Sequence, residues 1–333
     1  MKVGVIGYGY WGPNLVRNLV QLDEVEVAWC VDKRETRQTL ARKQHPVMQV
    51  TGNADEVFED PTVDAVVIAT PVGTHFDLAK RALEGGKHVL VEKPMTQTVA
   101  QGEELIELAR KNDRVLMVDH TFIYTGAVRK MKEIIEVGEL GDLYYFDSVR
   151  VNLGLIQPDI NVLWDLAPHD LSILIHLIKE PPKYVSAVGS SHTGNGHADV
   201  AYMTVHFESD FIAHFHVNWL SPVKIRQTLI GGSRRMLVYD DMQPSDKIRV
   251  YDRGVKVIAR EGVYNSLIDY RSGDMWAPKI ELREALSAEC QHFMECIRFK
   301  KVPQSSGESG LAVVKLLEGA SKSLAAGGER IPV

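Results

Sequence analysis

From Lys2 to about Asp119 the chain alternates short, almost wholly apolar runs with stretches of helical period. The runs fall at residues 3–6, 25–31, 65–69, 88–91 and 115–118. A strand covered by helices on both faces has no polar side to turn toward water, whereas a half-exposed strand alternates. This first part therefore predicts a parallel, doubly wound α/β sheet. Local signals agree. Asn53 with Glu56 and Thr98 with Gln101 have capping-box spacing, and Gly85-Gly86 stands where a helix closes before His88.

Beyond a linking helix over 127–137, ended by Gly138 and Gly141, the texture changes. Longer strand patterns occupy 143–151, 200–207, 211–219, 225–230 and 247–251, with turns at 208–210 and 231–233. One helix, 162–178, is embedded among them, and two more follow at 281–298 and 309–325. This predicts an α+β domain with a large, mostly antiparallel, open-faced sheet. The expected division is 1–123 and 124–333. Within 211–219 the alternation separates His214, His216 and Asn218 from Phe215, Val217 and Trp219, and the apolar set should pack on the domain's helices.

Composition narrows the function. The 333 residues carry 38 Lys+Arg against 44 Asp+Glu, a net charge of −6, and 45% are hydrophobic. These are values of a folded globular chain. A mildly acidic chain with no Lys/Arg block and no aromatic ladder among basic residues offers nucleic acid no attraction. No stretch reaches the roughly 18 consecutive apolar residues of a membrane span. The start, Met1-Lys2 followed by a short apolar run and glycines, lacks the apolar core of a cleavable leader. A cytoplasmic protein is expected, with Cys30, Cys290 and Cys296 as reduced structural thiols.

Gly7-Tyr8-Gly9-Tyr10-Trp11-Gly12 has the form G-x-G-x-x-G, directly after the first strand and opening a helix that carries Pro13. In that context the first glycine allows the tight turn, the second lets backbone approach a pyrophosphate, and the third lets helix and strand pack closely. The helix N-terminus adds N–H groups and a positive dipole. Tyr10 and Trp11 belong to the same loop. Asp32 closes the second strand twenty positions after Gly12, where a carboxylate accepts from adenosine ribose hydroxyls. NAD is the expected cofactor. Lys33 and Arg34 follow at once and could neutralise a 2′-phosphate if Asp32 turned aside, which keeps NADP open.

The run Val63-Asp64-Ala65-Val66-Val67-Ile68-Ala69-Thr70-Pro71, then His75, then Gly85-Gly86-Lys87-His88-Val89-Leu90-Val91-Glu92-Lys93-Pro94, resembles the Gfo/Idh/MocA family, the relatives of glucose–fructose oxidoreductase and inositol dehydrogenase. The resemblance spans the chain. Glu92-Lys93-Pro94 ends a parallel strand, where open α/β sheets bind ligands, and a lysine there can hydrogen-bond a substrate hydroxyl and lend charge to a developing alkoxide. The resemblance implies a cis Lys93–Pro94 bond. It also implies that Thr70, Pro71, His75, Glu92, Lys93 and His120 attend the cofactor.

Trp164-Asp165-Leu166-Ala167-Pro168-His169-Asp170 sets Asp165 and His169 four apart, so on a helix both project from one face. His169 can exchange the carbinol proton while Asp165 orients the ring or binds a neighbouring hydroxyl. The family's D-x-x-x-H pair matches these two residues, with Lys93 as the third catalytic member. Many relatives have small or glycine residues before that aspartate. This chain has Asn161-Val162-Leu163-Trp164, which implies a differently shaped pocket.

Further substrate candidates are Tyr124, near the domain junction, and Arg150 and Asn152, two apart on a strand and suited to an anionic substituent. Trp164 joins them. His214 and His216 form an H-x-H pair with no carboxylate or cysteine at ligand spacing, and no metal is expected. The function implied is hydride transfer between nicotinamide and a ring carbon of a sugar. A nucleotide-linked sugar of polysaccharide biosynthesis, of the UDP-N-acetylglucosaminuronate 3-dehydrogenase kind, comes first, and inositol or a free sugar second. A non-catalytic dinucleotide-binding regulator is the rival from another class. In relatives the open sheet face is commonly buried against another subunit, so a homodimer or homotetramer is expected.

Overall fold

The computed structural model describes residues 1–154, 156–157, 159–194, 196–258 and 267–333. The chain divides into two units, Met1–Thr125 with Arg283–Lys315, and Gly126–Leu282 with Leu316–Val333.

The first unit begins with β1 (Lys2–Ile6), α1 (Gly12–Val20), β2 (Glu26–Val31), α2 (Glu35–Gln44), β3 (Gln49–Thr51), α3 (Asp55–Phe58) and β4 (Ala65–Ile68). It continues with α4 (His75–Glu84), β5 (His88–Glu92), α5 (Val99–Lys111) and β6 (Leu116–Asp119). The strands pair in the order β3-β2-β1-β4-β5-β6, all parallel. The order reverses between β1 and β4, so the carboxyl ends of the strands on either side of that point frame the ligand crevice of an open α/β sheet. Every residue of β4 is buried, as the apolar runs required. The cap at Thr98 forms, its hydroxyl accepting from the Gln101 N–H at 3.3 Å. Asn53 and Glu56 do not make a capping box: Asn53 Oδ1 accepts from the Asp55 N–H, and Glu56 takes the Thr51 hydroxyl instead.

In the second unit α6 (Gly126–Glu136) and β7 (Leu143–Leu153) precede α7 (Val162–Leu177). Then come β8 (Tyr184–Ser190), β9 (Val200–His206), β10 (Ile212–Asn218), β11 (Leu220–Gly232), β12 (Met236–Asp240), β13 (Ile248–Ile258) and β14 (Leu267–Trp276). With the short terminal β15 (Ile331–Pro332) they make one nine-stranded sheet in the order β14-β13-β12-β11-β7-β10-β9-β8-β15. The β7–β10 pair is parallel and the others are antiparallel. Helix α7 packs on β7, β9 and β10. Phe215, Val217 and Trp219 are buried, on the parity that faces away from His214 and His216.

The last two helices are α8 (Ala285–Phe299) and α9 (Gly307–Ala325). The sequence placed everything after residue 123 in one domain, yet α8 buries Leu286, Cys290 and Phe293 in the core of the first unit, beside Leu15, Leu19 and Ile123. An apolar stripe tells a helix to bury a face without saying against which core. All three cysteines are free and buried. No described helix is long and apolar enough to cross a membrane.

Candidate active site

The glycine loop is shaped by contact. Gly7 has φ +101°, and a Cβ there would stand 2.3 Å from the Ala69 carbonyl oxygen; one on Gly12 would meet the Gly7 carbonyl at 2.1 Å. Only glycine lets the loop, the end of β4 and the start of α1 approach this closely. At Gly9 the space is open, with Arg34 Nη2 alone at 3.4 Å. No side chain caps α1; Pro13 has no N–H and the Asn14 N–H donates to the Trp11 carbonyl at 2.9 Å, so of the first three residues it is Gly12 whose N–H remains for an anion. Tyr10 is 90% exposed.

Asp32 is buried and accepts from the Tyr8 N–H at 2.9 Å and from the Arg34 backbone. The Arg34 guanidinium grips both of its oxygens, at 3.0 and 2.9 Å. Burial alone would raise this carboxyl, but these donors outweigh it and hold it below the usual range. Asp32 has therefore not turned aside, and Arg34 is spent on it.

At the end of β5 the Lys93–Pro94 bond is cis, and the Lys93 N–H donates to Glu92 Oε2 at 3.1 Å. His75, 1% exposed, lies between two carbonyls: Nδ1 is 2.9 Å from Pro94 O and Nε2 is 2.8 Å from Thr70 O. His75 thus links the loop after β4 to the lysine turn and presents no free nitrogen to a ligand. Thr70 is half-buried and Pro71 exposed. Burial presses His75 toward its neutral form, the two carbonyls oppose this, and the charge of Lys93 adds to it.

At the end of β6, Asp119 collects donors: Trp11 Nε1 at 3.0 Å on Oδ2 and the Thr121 hydroxyl on Oδ1. Next to it His120 is 2% exposed, with neither ring nitrogen hydrogen-bonded. Burial and then the charge of Lys93 bring its pKa down to about 4, against the pull of Asp119. Glu92, partly buried, is pushed well above the carboxylate range by burial and by Asp119. Tyr124, expected at the substrate, is instead 4% exposed, its hydroxyl 3.0 Å from Ser305 Oγ.

In the second unit Asn161 caps α7 through the Trp164 N–H at 3.2 Å. One turn on, Asp165 Oδ2 accepts from Trp219 Nε1 at 2.9 Å. His169 follows a further turn along, partly exposed like Asp165. Behind them Arg150, 3% exposed, makes a two-pronged ion pair with Asp170, both contacts 2.8 Å. Arg150 is thus a brace for α7 and not the anion-binding group the strand parity suggested. The Trp164 indole is likewise taken, donating to Ser321 Oγ at 2.9 Å. Asn152 is half-buried.

On the opposite sheet face His214 Nδ1 meets Asp147 at 3.1 Å, and His216 stacks on Tyr202 with ring centres 4.5 Å apart. Among the described residues no group of three or more His, Cys, Asp or Glu is placed to hold a metal ion. Two partnerships escaped the sequence reading. That of Trp219 with Asp165 was accessible, since strand parity put Trp219 on the helix side. Glu289, buried in α8 against Asp119, gave no local signal.

A switch-point glycine loop, a carboxylate at the end of β2 and a lysine turn at the end of β5 define an NAD(P)-dependent oxidoreductase. Comparison with known proteins gives the family. Residues 1–120 match the Gfo/Idh/MocA oxidoreductase family, NAD-binding Rossmann fold, and residues 128–238 match its C-terminal domain. The chain belongs to that family. It is 30% identical over 260 residues to the uncharacterized oxidoreductase YdgJ of Escherichia coli, covering 74% of this chain and 73% of that one. It is 25% identical to the myo-inositol 2-dehydrogenase of Thermotoga maritima, over 97% and 96% of the two chains. The fold is also that of UDP-N-acetylglucosamine 3-dehydrogenase GnnA from Acidithiobacillus ferrooxidans, with TM-score 0.82, 24% identity and 98% of each chain covered. The cofactor is NAD. The open space at Gly9, the uncapped α1 and the unpartnered nitrogens of His120 fit a dinucleotide.

Proposed function

We propose that this protein oxidises, or in reverse forms, a secondary alcohol on the ring of a sugar or cyclitol, with Lys93, Asp165 and His169 as its catalytic residues. The observation that carries the reading is the way α7 is built: Trp219 fixes Asp165 from one side while the buried Arg150–Asp170 pair anchors the residue after His169. A helix face so braced presents an acid and an imidazole at a set spacing, which is what proton exchange at a carbinol requires.

The chemistry NAD supplies when bound is acceptance or return of a hydride. The glycine loop would hold its pyrophosphate, Asp32 its adenosine ribose, and the ends of β4, β5 and β6, with Thr70, Glu92 and His120, its nicotinamide half. Lys93 donates a hydrogen bond to the reacting oxygen and stabilises negative charge there. His169 takes the hydroxyl proton as the C–H electron pair departs, and gives it back in the reverse direction. Asp165 orients His169 or a neighbouring hydroxyl.

A nucleotide-linked sugar is the substrate we put first, the class to which the sequence resemblance points. Inositol is the second reading, favoured by the end-to-end match to the Thermotoga maritima myo-inositol 2-dehydrogenase. We place the reaction in the cytoplasm and in a homodimer or homotetramer formed through the open sheet face, where Tyr202 and Ile212 are exposed. The test is formation of reduced nicotinamide with NAD or NADP across UDP-sugars, their uronic acids, free sugars and inositols. Turnover should fall by about a hundredfold or more in His169→Ala with NAD binding retained. Unchanged turnover in that variant would overturn the mechanism.

A further inference from the structure

We infer that Glu289 is a positioning residue for the dinucleotide site: as an un-ionised acid it donates to Asp119, and Asp119 in turn holds the indole of Trp11. The inference rests on the NAD site of the first unit and not on any choice of substrate.

Glu289 comes from α8, 170 positions after Asp119 in the chain, and is 0% exposed. Neither of its carboxyl oxygens completes a hydrogen bond, which is an expensive state for a buried anion; the one hydroxyl near it that would favour the ionised form, that of Thr121, donates to Asp119 instead. The Asp119 carboxyl is near enough for its charge to bear on Glu289, and on Glu92 as well. Two ionised carboxylates cannot bond each other, since both only accept. With a proton on Glu289 the conflict disappears, because the acid becomes a third donor to Asp119 beside Trp11 Nε1 and the Thr121 hydroxyl. Burial first, then Asp119 and Glu92, push the Glu289 carboxyl well above its ordinary range against a smaller opposing pull from Thr121.

The consequence runs into the glycine loop. Trp11 immediately precedes Gly12, and its bond to Asp119 ties the loop from β1 to the end of β6. Ionising Glu289 would set a second negative charge against Asp119 and draw it off the indole. The groups facing Glu289 are Asp119 and Thr121 at the end of β6, Glu92 on β5, Tyr124 in the following turn and its own neighbour Cys290. Lys93 lies beside Glu92 and His120 beside Asp119. Lys93 alone among them brings a positive charge, and it faces Glu92.

Calorimetric titration of NAD into the wild type, Glu289→Gln and Glu289→Leu tests this without a substrate. The amide of Glu289→Gln is a permanent donor, so its NAD affinity should equal that of the wild type near neutral pH. As the pH is raised into the alkaline range the wild type should lose affinity about threefold or more while Glu289→Gln stays level. Glu289→Leu, of similar bulk and no donor, should already be weaker by that factor at neutral pH. The infrared stretch of a protonated carboxyl should be present in the wild type and reduced in Glu289→Gln, which reads the proton directly even if the leucine variant does not fold. Parallel pH profiles for the wild type and Glu289→Gln, or an unchanged carboxyl band, would overturn the inference.

Discussion

The indole of Trp219 donates to Asp165 Oδ2 at 2.9 Å, from a side chain that is itself 1% exposed. A residue at the end of β10 therefore decides where the acid of the D-x-x-x-H pair points. Trp219→Phe keeps most of the buried bulk and removes the donor. A hydrogen bond to a charged group is worth about 1.5–3 kcal/mol, so kcat should fall about tenfold or more. NAD affinity should not change, because the glycine loop belongs to the other unit. Equal kcat in the two proteins would show that Asp165 does not need the indole.

The Arg150–Asp170 pair is 4% and 5% exposed at its side chains. Removing one partner leaves the other charge buried and unpaired, which costs about 3–5 kcal/mol, whereas replacing both by apolar groups is far less damaging. Arg150→Met should therefore unfold at much lower urea, and Arg150→Met with Asp170→Leu should recover most of the loss. A single variant within about 1 kcal/mol of the wild type would mark the pair as energetically idle, as surface pairs are.

These two contacts show where sequence reading ends. The strands of the first sheet were legible because burial on both faces writes an unbroken apolar run, as in Ala65–Ile68. Strand β3 was not, since Gln49-Val50-Thr51 is short and has one apolar residue. Asp165 and His169 stood out as candidates by a spacing of four residues, and Lys93 by the family resemblance of the turn that carries it. Arg150 was misread because parity assigns a face but not what packs on it, and on that face stands Asp170. Glu289 was invisible for a related reason: its meaning lies in Asp119, on a strand laid down 170 residues earlier.

His75 reaches two carbonyls that can only accept, so in its neutral form it donates to one of them. His75→Phe deletes the link between the Thr70 loop and the turn carrying Lys93. Leaving a buried carbonyl unpaired should cost about 1–3 kcal/mol in urea denaturation. If the link positions Lys93, kcat at saturating cofactor should drop as well, and His75→Asn, which restores one donor, should recover part of both. Recovery of stability without recovery of kcat would limit His75 to a structural role.

His120 gives a pH dependence with a definite sign. Its folded-state pKa is about 4, below the roughly 6.5 of an unfolded histidine. Below about pH 6.5 the unfolded chain takes up a proton that the folded protein refuses, so stability falls with pH until about 4 and is full above 6.5. Over that window the contribution is on the order of 3 kcal/mol. His120→Gln should flatten the acid side of the stability curve in urea melts at pH 5 and 7. A curve as steep as the wild type's would assign the acid sensitivity to other histidines, among them the half-buried His88 and His176, whose pKa values burial also lowers to about 4.

Cofactor choice should turn on Asp32 and Arg34 together. Arg34 holds both oxygens of Asp32 at 3.0 and 2.9 Å, and its Nη2 is the group nearest the open space at Gly9. Asp32→Ala removes the ribose acceptor and frees a guanidinium whose fork suits a phosphate. NAD affinity should then fall by about tenfold, and NADP should bind better than it does to the wild type. In Asp32→Ala with Arg34→Ala that gain should vanish while the NAD loss remains, since the ribose acceptor is still missing. Titrating both cofactors into the three proteins separates the roles: a gain for NADP that survives loss of Arg34 would move the phosphate contact to Lys33, the other cation of the loop.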